Sequence, residues 1–211
     1  MPENIAVRVG RRRLLSVVMS LPASIVAGCQ LPGAGPPPRE FRVTQKSTFP
    51  ETLPHVDWSL VVERPSAVRS IDTPSIARTR GVEIEYYAGA TWIDRPPVMI
   101  EPLIIQSFRS SGAIDVVVDA RSNIRPDFVL QTDIAAFEAM ETAAGPPEVR
   151  VAMAATLIRM PRRVVVGTTQ IGRTVPAATT SLESIALAFD EAFGKVLKRL
   201  VEWTLLTGEA A

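Results

Sequence analysis

The chain has 211 residues, with 23 Lys and Arg against 22 Asp and Glu, one His and one Cys. A single Cys excludes an internal disulfide, and a single His excludes a histidine-rich metal site. Four arginines against one glutamate give residues 1–28 a charge of +3, so the chain total of +1 leaves −2 for the remainder, without the basic excess that a nucleic-acid backbone requires.

Residues 8–13 are basic and residues 14–26 (LLSVVMSLPASIV) are mainly apolar, in the order and length of an export-signal core. A membrane-spanning helix needs about 20 apolar residues, and Pro22 interrupts this run, so it reads as a signal and not as a span. The run ends in Val26-Ala27-Gly28-Cys29, which resembles the lipobox of bacterial lipoproteins. The resemblance implies cleavage before Cys29, a thioether from its thiol to diacylglycerol, and a further acyl chain such as palmitate on the freed amine. Two or three acyl chains hold a protein durably on a membrane where one does not. Residues 1–28 are thus expected to be a lipoprotein signal peptide, 29–40 the lipidated cysteine with its tether, and 41–207 the folded domain. Gln30, where sorting rules for retention would place Asp, points to the outer membrane. Arg11-Arg12-Arg13-Leu14-Leu15 also resembles a twin-arginine export signal; an ordinary basic segment of the general secretory route is the simpler reading, because no cofactor-binding motif requires folding before export.

Past the anchor, Gly33-Ala34-Gly35-Pro36-Pro37-Pro38 is an extended spacer. Residues 41–43 and 58–62 are short strand candidates. Residues 82–92 alternate with period two, which places Val82, Ile84, Tyr86, Ala88, Ala90 and Trp92 on a core face and Glu83, Glu85, Tyr87 and Thr91 opposite. Tyr87 is therefore the expected partner-contact residue of this strand. Residues 98–111 predict a helix with Ile100, Leu103, Ile104, Ser107 and Phe108 on one face, regular only from near Glu101 because of Pro102, and stopped by Gly112. Residues 114–119, 128–137, 149–158 and 163–174 are further strands, the last two joined at Pro161-Arg162-Arg163 as a hairpin. A capping-box spacing over residues 180–183 opens a final helix whose stripe is Ile185, Phe189, Ala192, Val196, Leu200 and Trp203, with Gly208 beyond its end. Consecutive strands without intervening helices predict an α+β fold: an antiparallel sheet of five to six strands with two main helices packed on it.

Chemistry-bearing constellations are scarce. His55 lies in a proline-containing stretch with no G-x-S-x-G elbow elsewhere to present a serine to it. The closest carboxylate pairs, Asp115 with Asp119, Glu83 with Glu85 and Asp190 with Glu191, have the spacing of solvated surface charge. Gly167 and Gly172 fall in a strand pattern without the lysine and helix of a phosphate loop. The sequence therefore predicts no catalytic residue, no metal site and no cofactor.

In order along the chain stand Asp72-Thr73-Pro74-Ser75-Ile76, then Glu85-Tyr86-Tyr87-Ala88 with Trp92 and Pro96-Pro97, then Ser110-Ser111-Gly112. Asp127-Phe128-Val129-Leu130 with Phe137-Glu138 follow, and Ala188-Phe189 leads to Leu200-Val201-Glu202-Trp203. This succession resembles the auxiliary lipoprotein component of ABC-type transport systems, the family that includes the paraquat-inducible protein C lipoproteins. The resemblance implies a non-enzymatic docking or conduit role in envelope lipid transport, at the periplasmic face of the outer membrane. Its implied partners are a permease, an ATPase and a mammalian-cell-entry (MCE) domain substrate-binding protein; self-association into a homo-oligomer is left open. The alternative is a structural lipoprotein of an outer-membrane assembly or export complex.

Overall fold

The computed structural model describes residues 37–211. Eleven elements follow one another: β1 (Arg39–Phe41), β2 (Leu60–Val62), β3 (Ser66–Ala67), β4 (Ser75–Arg80), β5 (Glu83–Trp92), α1 (Pro96–Ser111), β6 (Val117–Asp119), β7 (Phe128–Met140), β8 (Glu148–Arg159), β9 (Val164–Pro176) and α2 (Leu182–Glu209). The nine strands form one mixed sheet, which corrects the expected antiparallel sheet of five to six. Its centre is β7. One edge of β7 is paired along its whole length with β8, and β8 with β9, as an antiparallel meander. The other edge is shared among β2, β3 and β4, all parallel to β7. From there β6 extends the sheet beside β2, while β5 and then β1 extend it beside β4.

The meander agrees with the sequence because β7 to β9 are long enough, at 12 or 13 residues, for alternation to show. Strands β2, β3 and β4 span three, two and six residues, too few to announce their direction. Residue 114 belongs to no named strand; it forms an isolated bridge to Val56.

Both helices contribute to a single large core. Ile100, Ile104 and Phe108 of α1 are fully buried, as are Phe189, Val196, Leu197 and Leu200 of α2. The 28 residues of α2 span about 42 Å at 1.5 Å per residue, which matches strands of 12 or 13 residues. At the centre Trp92, Phe137 and Phe189 meet with ring centroids 5.0–5.1 Å apart, and Phe193 stands edge-on to Phe137 at 6.5 Å.

Three helix boundaries differ from expectation. Helix α1 begins at Pro96, where proline's missing N–H costs nothing, and continues past Pro102, whose ring lies on the exposed side. The cap of α2 is Ser181, one residue later than the box implied: its Oγ accepts the Ser184 N–H at 3.2 Å while Ser184 Oγ accepts the Thr179 N–H at 2.9 Å. Glu183 turns away to Arg39, 2.6 Å distant. Gly208 lies inside α2 and not beyond it; a Cβ there would stand 2.5 Å from Cζ2 of Trp58, so this glycine lets the indole cross the helix. On the sheet face away from the main core, Val61, Val129 and Ile158 form a second apolar cluster with Val118 and Met160.

Candidate functional site

Cys29 and the lipobox residues Val26, Ala27 and Gly28 lie outside the described residues. Strand β1 starts at Arg39, within the stretch 29–40 expected to serve as tether.

Up to Gly89 the aromatic strand β5 has the opposite facing from the one its alternation implied. Gly89 adopts φ +68°, and the pairing with β4 slips from Ser75 opposite Thr91 to Ala77 opposite Tyr86, so β5 bulges here. Beyond the bulge Ala90 and Trp92 are buried as expected. Before it the phase is reversed: Val82, Ile84 and Tyr86 are exposed, and Tyr87 packs partly against the core. The reason for choosing Tyr87 as the outward contact residue is thereby removed; the outward tyrosine is Tyr86, whose hydroxyl donates to the Ser70 carbonyl at 3.2 Å. Tyr87 instead lies under the Arg78 guanidinium, 5.6 Å from its ring centre. Arg78 pairs with Glu85 and, at 3.1 Å, with Glu141, which also accepts Arg80 at 2.6 Å. The bond from Arg80 holds the Glu141 carboxyl below the ordinary range, and burial pushes the Tyr87 hydroxyl up against the opposing pull of Arg78. Arg78, Tyr87, Glu141 and Ile185 border a shallow hollow of about 270 Å³.

Members of the carboxylate pairs are drawn into separate contacts and not toward one another: Glu85 goes to Arg78, and Glu83 beside it is exposed. Asp119 pairs with Arg121 at 2.9 Å, and Asp115 approaches His55 at 3.8 Å. His55 is exposed, and its Nδ1 sits 3.3 Å from the Gly112 carbonyl at the end of α1. Asp190 accepts both the backbone N–H and the hydroxyl of Thr44, and Glu191 pairs with Lys195 at 2.7 Å. Among the described residues no three His, Cys, Asp or Glu converge as a metal-binding group. No helix there is long and apolar enough to cross a membrane.

A cleft of about 560 Å³ lies between the outer strand β9 and the carboxyl-terminal half of α2. Leu53, Ile171, Trp203 and Leu206 supply its apolar surface, and Arg173, Arg199 and Glu202 its charge. Gly167 makes the approach of β9 to α2 close: a Cβ on it would stand 2.7 Å from the Thr207 methyl.

A family model for the ABC-type transport auxiliary lipoprotein component matches residues 42–201. The chain belongs to this family. A Xanthomonas campestris protein of known crystal structure is 31% identical, with a TM-score of 0.78, over 82% of this chain and 97% of its own. A hypothetical protein from Chlamydia trachomatis shares the fold at a TM-score of 0.50 and 8% identity, over 73% of this chain and 99% of its own. An uncharacterised protein of Bradyrhizobium diazoefficiens is 23% identical over 192 residues, 86% of this chain; the chain spans about half the length of that relative.

Two features are not apparent from the sequence. Trp203 sits on the same helical stripe as the core residues, yet the stripe drifts around α2 and leaves Trp203 half-buried and Leu206 exposed at the cleft. Glu101, set between Ile100 and Pro102, is buried on α1 and accepts Arg64 Nε at 2.7 Å, with Arg121 at 4.0 Å. A carboxylate inside an apolar run was the available signal for it.

Proposed function

We propose that the chain is a lipid-anchored lipoprotein facing the periplasm, held to the outer membrane through Cys29, and that it docks an ABC-type system of the MCE class that moves envelope lipid. The observation that carries this reading is the family match over residues 42–201, directly behind a lipobox that follows a basic and an apolar segment. The role is docking or conduit, without catalysis. In support, the single histidine is exposed and engaged with the end of α1, and Asp119, Glu85, Asp190 and Glu191 are each held in a contact with another side chain or backbone group.

Anchoring suits such a role physically. A tethered domain searches a thin layer beside the membrane, which raises its effective concentration for a membrane-bound partner without any new contact. The partners expected are the permease, the ATPase and above all an MCE-domain protein reaching across the periplasm.

Purification of the full chain from detergent-solubilised envelopes of its own host tests the assignment. Recovery of an MCE-domain protein, lost when Cys29→Ser releases the chain from the membrane, is the expected result. Recovery of an outer-membrane β-barrel in its place would assign the chain to a structural assembly or export complex instead.

A further inference from the structure

We infer that β9 and the cleft beside it accept an extended, acid-bearing peptide segment of a partner protein, added to the sheet as a tenth strand. Strand β9 runs 13 residues and pairs with β8 alone among the described residues. Among the described residues no other strand pairs with its outer edge, and of its backbone groups the Gly172 carbonyl alone accepts a side-chain donor, Arg173. Such an edge is a template for strand addition, and natural sheets block long ones with lysines, prolines or a covering segment. Here the sequence VVVGTTQIGRTVP has no lysine, and no proline before Pro176 at its last position; a bulge at Val166 interrupts the ladder near its start and leaves residues 167–175 as the regular edge.

The cleft runs along the same strand, where residues 169–173 form one wall. Leu206 is 57% exposed on the facing helix, and Leu53, Ile171 and Trp203 complete an apolar floor. A strand laid on β9 would direct alternate side chains into that floor, which sets a requirement for apolar residues at every second position. The charge follows from Arg173. Glu202 is engaged by Arg199 at 3.6 Å and Lys198 at 3.9 Å, whereas Arg173 contacts no carboxylate among the described residues and reaches only the Gly172 carbonyl. An acidic side chain in the incoming segment satisfies it. A second copy of this chain fits less well, because Arg173 is the sole charge on β9 and two-fold pairing of the strand with itself brings no carboxylate to either arginine.

The test uses the full-length chain in detergent and two pooled sets of labelled peptides of about ten residues, a length typical of a long strand. Both sets alternate apolar and polar residues; one carries a central aspartate and the other a central lysine. The aspartate set is expected to bind about tenfold more tightly or better, and to slow amide hydrogen exchange over residues 164–176. Arg173→Glu is expected to reverse the preference between the sets, and Leu206→Asp, on the opposite wall, to weaken both. Equal binding of the two sets, or protection elsewhere than β9, overturns the inference. Concentration-dependent protection of residues 164–176 without peptide also overturns it and assigns the edge to a second copy. These outcomes concern the domain surface and stand apart from whether Cys29 is acylated.

Discussion

At Gly208 and Gly194 the same substitution on the same helix is expected to have opposite signs. Both lie within α2, where alanine is favoured over glycine by about 1 kcal/mol. A Cβ at Gly194 meets nothing within 4 Å, so Gly194→Ala should stabilise the protein by about 0.5–1 kcal/mol. At Gly208 the methyl drives into the Trp58 indole, which is wedged edge-on against Phe128 at 4.9 Å and cannot swing away freely. Overpacking of this kind costs about 1–3 kcal/mol, which outweighs the helical gain, so Gly208→Ala should lower stability by about 1 kcal/mol. Urea denaturation of the two variants reads both signs. Glu101 supplies a second case: Arg64→Ala leaves a buried carboxylate with only Arg121, 4.0 Å away. Removing one partner of a fully buried pair costs about 3–5 kcal/mol; with Arg64 half exposed, a loss of about 2 kcal/mol is expected in the same assay. An unchanged midpoint would show that Glu101 is satisfied without it.

Among elements, the parallel contact of β2 with β7 is pinned at its start by Asp127. Its Oδ2 accepts the Ser59 backbone N–H at 2.8 Å and the Ser59 hydroxyl at 2.7 Å, and these bonds, the backbone one foremost, hold its carboxyl below the ordinary range. A carboxyl depressed in the folded state stabilises above its unfolded value, about 3.9, and that contribution disappears as the pH falls through the lower folded value. The melting temperature of Asp127→Asn should therefore lie below that of the native chain at neutral pH, with the gap closing below about pH 4. A gap that persists to pH 2 would mean that the ionised carboxylate is not what matters. This contact joins segments far apart in sequence, which is why nothing local announces it. Helix α2 and the β8–β9 hairpin were legible because 28 and 12 or 13 residues leave room for a period to repeat. The aromatic strand misled through a single residue: Gly89 within the alternation is itself a bulge signal, and passing over it exchanged the roles of Tyr86 and Tyr87.

For the molecule as a whole, the proposed anchor is read from the sequence and the proposed docking surface from the structure, and each is unreadable from the other side. The lipobox is four contiguous residues in a fixed context, so it needs no folding to be recognised. The cleft of β9 and α2 assembles Leu53, Ile171 and Trp203 from three distant segments, and only the curvature of the helix stripe separates a core tryptophan from one at a surface. The mixed sheet, likewise, arises from three short strands gathered on one edge of β7. On the function proposed, these parts belong to a domain fastened to a membrane that presents an open surface to its transport partner. Intact-mass analysis of the native product isolated from host membranes tests that claim most directly. The account predicts a chain that begins at Cys29 and carries diacylglycerol with or without a further acyl group; a chain beginning at Met1 with a free thiol, recovered from the soluble fraction, would contradict it.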